Sequence, residues 1–138
     1  MSDHPIPDDA WRTIVRYMPI PSVDLLVVTD GGLLLGKREN EPARGEWFVP
    51  GGTVVKNERL TDAVHRVADE ELGTDITIEK RLGTHEHFYN TADVEDNFHE
   101  TLRCDRVRRQ DGGRGYPIRR ATFGVRGIST ALQRPPSV

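Results

Sequence analysis

The stretch GGTVVKNERLTDAVHRVADEELG, residues 51–73, constrains this chain more than any other. Apolar residues fall at Leu60, Val64, Val67, Ala68 and Leu72, the spacing of a helix with one buried stripe. Gly73 supplies the stop, because glycine enters the left-handed region without steric cost. Ahead of the helix, GEWFVPGG (45–52) mixes aromatic and β-branched residues and predicts a short strand. Its Pro50-Gly51-Gly52 ending marks a loop that other backbone can approach closely. Glu58, Asp62, Arg66 and Glu70 recur at intervals of four and line one edge of the helix. Glu71 stands on the adjacent row, one turn beyond Val67. Clustered carboxylates after a Gly-Gly loop suit a hard divalent cation, which takes one or two carboxylates together with water and substrate phosphate. Alone, a Glu-Glu pair near a helix C-terminus is more often a solvated helix face.

Other segments place this loop and helix in a sheet. SVDLLVVT (22–29) and LLLGKR (33–38) flank Asp30-Gly31-Gly32, a hairpin signal. DITIEKRLGTHEHFY (75–89) alternates and predicts one or two strands. At 138 residues the chain fits one domain. No apolar run approaches the roughly 18 residues of a membrane span, and MSDHPIPDDAW lacks the basic and apolar regions of a signal peptide. The expectation is a soluble, cytoplasmic protein. A single cysteine, Cys104, excludes an internal disulfide and a zinc site built on several thiolates.

Charge divides the chain more sharply than its net value of -3 suggests. Residues 1–101 carry 20 acids against 10 basic residues, whereas 102–138 carry nine arginines against Asp105 and Asp111. The acid excess of the first part is a solvated surface of the kind used by salt-loving organisms and shared by ordinary acidic proteins. The second part sustains neither a two-residue nor a 3.6-residue apolar period. It predicts one strand near Leu102 to Val107, then irregular chain. With little aromatic interleaving and no binding motif, its arginines do not make a nucleic-acid arm, and neither nucleic acid nor membrane is expected as a partner.

Gly52, Glu58, Arg66, Glu70, Glu71 and Gly73 carry a more specific signal. Their spacings resemble the Nudix box, Gly-x5-Glu-x7-Arg-Glu-U-x-Glu-Glu-x-Gly-U with U aliphatic. The chain departs from it at Val67, where most Nudix enzymes place a metal-binding glutamate, and at Thr74. One branch of the family lacks that same glutamate, the GDP-mannose mannosyl hydrolases, and this chain is similar to it over roughly residues 10–100, including IPSVDLLVV, LLLGKREN, PARGEWFVPGG and HEHFY. The resemblance implies a Nudix-type α/β/α sandwich with a mixed sheet and a homodimer, and the change of composition after residue 101 points to a sheet incomplete at its C-terminal end. It implies a magnesium-dependent hydrolase of a nucleotide sugar that attacks the anomeric carbon and releases GDP and the sugar.

Residue by residue, the resemblance implies Gly51 (through its carbonyl) and Glu71 as magnesium ligands, with Glu70 in an outer position or on a second cation. Arg66 orders the helix carboxylates. Arg38 meets the diphosphate, or is a surface arginine after a strand. Trp11 stacks on guanine, or is a core tryptophan. Asp24, an acid inside an apolar strand, is costly unless paired and contacts a sugar hydroxyl or an arginine. His87 and Tyr89 lie near the leaving group, where the histidine donates to phosphate or serves as a hydrogen-bonded structural residue. His85 and His99 receive no role. Two alternatives remain: a Nudix diphosphatase on another nucleoside diphosphate derivative, which Val67 disfavours, and a nucleotide-sugar-binding Nudix domain without turnover.

The resemblance stops at the switch in composition. Mannosyl hydrolases continue with strands and a loop bearing a Gln-His pair, whose histidine is the general base, but this chain has no histidine after His99. The expected organisation is therefore a Nudix domain over 1–101, with its box at 52–74, and an atypical Arg/Gly/Pro-rich tail over 102–138. Such a switch is what a shifted reading frame produces from GC-rich coding sequence. The coding DNA tests this: one alternative frame after codon 100 should encode an acidic continuation with a Gln-His pair, and its absence from both frames sinks the idea.

Overall fold

The computed structural model describes residues 6–29, 32–38, 47–90, 97–110, 121–123 and 126–133. Among these described residues, two helices and eight strands follow in the order α1 (Asp8–Tyr17), β1 (Ile20–Thr29), β2 (Gly32–Arg38), β3 (Trp47–Phe48), β4 (Gly51–Thr53), α2 (Leu60–Leu72), β5 (Ile76–Tyr89), β6 (Phe98–Arg109), β7 (Ala121–Phe123) and β8 (Arg126–Gln133). The strands form one mixed sheet in the order β5-β6-β1-β2-β8-β7, with β3 paired to β2 and β4 to β1. Only the central β1/β6 pair among these is parallel.

Alternation along β1 assigns its two faces. Val23, Leu25 and Val27 are buried with Ala63, Val64, Val67, Ala68 and Leu72 of α2. Ile20 points the other way, into a second cluster with Trp11 and Val15 of α1 and with Phe98. A sheet with a helix on each face is the expected α/β/α sandwich. Ser22 and Asp24 share Ile20's face, since successive side chains in a strand point to opposite sides.

Helix α2 matches its sequence signal closely. Leu60 is partly buried, Val64, Val67, Ala68 and Leu72 are buried, and Gly73 closes the helix at φ 68, its N–H donating to the carbonyl of Asp69 at 3.0 Å. Helix α1 was not foreseen. Its signal is short: Trp11 and Val15, one turn apart, are its buried residues, with Asp8 and Asp9 in the first turn and Arg16 in the last, complementing the helix dipole.

Other boundaries moved for identifiable reasons. The hairpin of β1 and β2 is present, pairing Val28 with Leu33 and Thr29 with Gly32. GEWFVPGG makes two short strands on different partners, because Pro50 interrupts the ladder. β3 joins Gly36 and Lys37 of β2, while β4 joins Ser22 to Asp24 of β1. DITIEKRLGTHEHFY is one 14-residue strand, β5, with register shifts between Ile78 and Lys80 and between Arg81 and Gly83. The second shift falls at Gly83, whose φ of 135 favours glycine.

The expected strand near 102–107 extends to Phe98–Arg109, so the change of composition at residue 101 falls inside β6. Beyond it, where irregular chain was expected, β8 pairs with β2 from Leu33 to Arg38 and β7 pairs with β8. Such pairing uses backbone N–H and C=O groups and needs no apolar period, so the tail's sequence gave no sign of it. Among the described residues no helix is long and apolar enough to cross a membrane.

Val67 occupies the core, 1% exposed. A Cβ on Gly52 would lie 2.8 Å from its Cγ2, so glycine at 52 is what allows α2 to seat on β4. Gly52→Ala should therefore cost about 1 to 3 kcal/mol, the usual range for overpacking, and Val67→Ala combined with it should recover part of that loss in denaturant titrations. Val67→Glu should cost more, because it buries an ionised carboxylate in an apolar cluster.

Candidate functional site

The glycine loop and α2 meet through two adjacent contacts. Val67 rests on Gly52, and one helical turn later Glu71 Oε2 accepts the N–H of Gly51 at 3.0 Å. Glu71 is only 2% exposed. A carboxylate this deep is costly as an anion unless donors or a cation meet its charge, and the Gly51 N–H is one such donor. Gly51 pairs with Asp24 of β1, and Leu25 N–H donates to the Pro50 carbonyl at 2.8 Å. The sheet thus fixes the loop from one side and the helix carboxylate from the other.

Arg66 locks the second edge. Its Nε donates to Glu58 Oε2 at 2.6 Å and its NH2 group to Glu58 Oε1 at 2.9 Å, a bidentate pair. The NH2 group also donates to the Thr53 carbonyl at 2.8 Å, and NH1 donates to Glu70 Oε2 at 3.0 Å. One guanidinium therefore ties together the end of β4, the Glu58 turn and the last turns of α2. Spacing pointed to Asp62 and Glu70 as its neighbours. Its first partner is Glu58, which lies before the helix, directly after a turn containing Asn57 at φ 67. Val55 N–H donates to Glu58 Oε1 at 3.2 Å and completes that turn.

These contacts set the ionisation of the cluster. The hydrogen bond from Arg66 holds the Glu58 carboxyl below its usual range, and Glu58 in return raises the guanidinium. Burial pushes the Glu70 carboxyl up, against the pull of Arg66. Cys104, buried beside Asp24 in the sheet register, has its thiol pushed up to about 11, first by burial and then by Asp24 and Asp105. It stays a protonated filler at neutral pH.

A second polar cluster lies across β5 and β6. His87 and Glu100 are register partners, and so are Tyr89 and Phe98. His87 Nδ1 lies 3.2 Å from Glu100 Oε1 and 2.9 Å from the Tyr89 hydroxyl. Glu100 is 1% exposed, whereas the His87 side chain is 37% exposed. Tyr89 sits edge-on to His87 at 5.7 Å between ring centres and 6.3 Å from Phe48 of β3. Phe48 precedes Gly51 by three residues, a span of at most about 10 Å, so the cluster touches the strand that leads into the glycine loop.

The structure thus brings Gly51, Glu70, Glu71 and Arg66 into one unit, with Asp24 beside Gly51 and 4% exposed. His87 and Tyr89 form the neighbouring unit. Trp11, 3% exposed, packs with Val15, Ile20 and Phe98, the environment of a core tryptophan. Arg38 ends β2, and its side chain lies outside the described residues. Glu100 and Phe48 escaped the sequence reading. Only the alternation of HEHFY against NFHE could have paired His87 with Glu100, and no local signal in either segment fixes that register.

The donor set decides whether a cation fits. Among the described residues no three His, Cys, Asp or Glu side chains converge as a ready-made cage. Magnesium seldom requires one, since it retains waters and takes one or two carboxylates with substrate phosphate. Glu71 beside the Gly51 backbone, with Glu70 next to it on the helix, fits that demand.

A mixed sheet between two helices, with a Gly-Gly loop and clustered carboxylates at its edge, defines a protein class, and comparison with known proteins identifies it. The NUDIX domain model matches residues 18–115, and the chain belongs to the Nudix family. It is 72% identical over 90 residues to the low-salt glycan biosynthesis protein Agl8 of Haloferax volcanii, a match covering 65% of this chain and 58% of that protein. It is 36% identical over 67 residues to an ADP-ribose pyrophosphatase of Methanocaldococcus jannaschii, covering 49% of this chain and 40% of that one. The chain thus spans less than two thirds of the length of either curated relative. Among solved structures, a NUDIX hydrolase from Nitrosomonas europaea superposes with a TM-score of 0.60 at 18% identity, over 87% of this chain and 60% of that one. A MutT NUDIX hydrolase from Burkholderia pseudomallei gives 0.53 at 24%, over 87% and 91%. These two likenesses establish the fold.

The Arg66–Glu58 pair makes stability depend on acid in a defined direction. Glu58 has a folded pKa below its ordinary 4.5, so its contribution is complete above about 4.5 and is lost as pH falls through the folded value. Glu70, shifted upward, works oppositely. Glu58→Gln should lower stability at neutral pH and flatten the loss in acid, as read from denaturant midpoints across the acid range. An unchanged acid slope would contradict the pairing.

Proposed function

We propose that the chain is a magnesium-dependent hydrolase of a nucleotide sugar of the GDP-mannose type, with water attacking the anomeric carbon to give a nucleoside diphosphate and the free sugar. The observation that carries this reading is Val67, packed in the core against Gly52 at the position where the box otherwise supplies a third carboxylate. Glu71, Glu70 and the Gly51 carbonyl would hold the cation, which neutralises the charge that builds on a departing diphosphate. Stabilising a leaving group needs fewer carboxylates than assembling an attack at phosphorus.

The chain's own residues supply positioning. Arg66 keeps Glu70 and the loop in one frame, and the Gly51 N–H fixes the rotamer of Glu71. Asp24, buried beside Gly51, is the candidate for a sugar hydroxyl, and Arg38 for the diphosphate through its planar donor fork. Tyr89 is a candidate substrate contact, and Trp11 supports the site through its cluster. The likeness to a glycan biosynthesis protein favours a sugar-bearing substrate. A cytoplasmic homodimer belongs to the same reading.

A second reading, cleavage between the phosphates of a nucleoside diphosphate derivative, is favoured by the likeness to an ADP-ribose pyrophosphatase. A third, binding without turnover, is favoured by a sequence that has no histidine after His99. Product analysis separates them. GDP and free mannose support the first, GMP and mannose 1-phosphate the second, and binding without product the third. Glu71→Gln should reduce magnesium-dependent turnover about a hundredfold or more and weaken magnesium binding in calorimetric titration, with the fold kept. Unchanged turnover would sink the metal assignment.

A further inference from the structure

We propose that Phe48, buttressed by Tyr89, is the stacking surface for the nucleobase of the substrate. This rests on the hydrolase reading, and it assigns a residue to the base in place of Trp11.

Enclosure removes the tryptophan first. Trp11 is buried against Val15, Ile20 and Phe98, so its indole has no open face for a second ring. Phe98 is buried in the same cluster. Among the other aromatic side chains of the described residues, Tyr17 and Phe88 are largely exposed. Phe88 is already stacked on His99, with ring centres 4.2 Å apart, and alternation turns it to the opposite face of β5 from Tyr89. The same rule turns Trp47 to the opposite side of β3 from Phe48.

Phe48 meets the demands of a stacking platform. Its side chain is half-buried, so it is held without being covered. Tyr89 is tilted against it, 6.3 Å between ring centres. Tyr89 is in turn fixed by its hydroxyl, 2.9 Å from His87 Nδ1, and by Phe98 at 6.1 Å. A ring already ordered by its neighbours loses little more freedom when a base covers it. Phe48 also stands three residues before Gly51, a span of at most about 10 Å. A nucleotide with its diphosphate at Gly51 and Glu71 carries its base one ribose beyond the phosphates, which puts the base in reach of this ring. Stacking reads ring area instead of hydrogen-bond pattern, so Phe48 favours a purine over a pyrimidine and treats guanine and adenine alike.

Paired titrations with GDP and inorganic pyrophosphate, both with magnesium, isolate the base, because pyrophosphate offers phosphates without it. Phe48→Leu should weaken GDP binding about 5- to 100-fold and leave pyrophosphate binding unchanged, and Phe48→Trp should retain GDP binding. The loss should be alike for GDP and ADP and smaller for UDP. In the wild-type protein, NMR should show nuclear Overhauser contacts between guanine H8 and the Phe48 ring. Their absence from wild-type protein saturated with GDP overturns the assignment whether or not the variants fold. Equal losses for GDP and pyrophosphate, or a loss confined to guanine, overturn stacking by Phe48. Hydrolysis of GDP-mannose by a Phe48→Leu protein with wild-type KM and GDP affinity also overturns it and leaves the hydrolase reading intact. GDP held over Phe48 by a protein that turns over no nucleotide sugar keeps the stacking role and rejects the hydrolase reading.

Discussion

Two contacts one helical turn apart, Val67 on Gly52 and Glu71 on Gly51, determine how the rest of this site can be built. The first is pure packing, since a Cβ at position 52 would lie 2.8 Å from Val67 Cγ2 and one of the two would have to give way. The second is a hydrogen bond whose length depends on that packing. The fold and the chemistry are therefore not separable here: the residue that seats the helix also decides which helix carboxylate reaches the loop. Arg66 reinforces the arrangement from the other edge, spanning Glu58, Thr53 and Glu70 with one planar group. Lysine could supply the charge but not the fork.

Much of this was legible in the sequence, for reasons that differ by element. α2 was readable because its apolar stripe and its glycine stop are local signals, and the carboxylates follow from the same periodicity. The β1/β2 hairpin was readable from Asp-Gly-Gly between apolar runs. What stayed hidden depends on pairing between distant segments. Glu100 looks like one more acid near a change of composition, and only the register of β6 against β5 turns it into a partner for His87. Arg66's first partner was missed because Glu58 belongs to a turn outside the helix, where i,i+4 counting does not apply.

The region after residue 101 shows the limit of pattern reading from the other side. Arg103 and Asp105 form a bidentate pair along β6, with Asp105 fully enclosed, and Val107 joins the core under α2. Nothing in an Arg-rich sequence without period announces that packing. β8 then covers the edge of β2 by backbone pairing, which protects a sheet edge whatever the side chains are. The family match likewise runs to residue 115. Backbone pairing of this kind can complete the sheet whatever side chains the strands carry.

Under the proposed hydrolase reading, the donor set at the glycine loop bears on which bond would be broken. Attack at phosphorus places the nucleophile among the phosphate's own negative charges, so it benefits from several carboxylates that organise cations on both sides of the reacting atom. Attack at carbon moves the nucleophile away from that charge and leaves the cation one task, to receive the electron pair on a departing diphosphate oxygen. With Val67 in the core, the loop offers a deep carboxylate at Glu71 and a second at Glu70, whose charge is already shared with Arg66. Such a donor set is weak for the first task and adequate for the second.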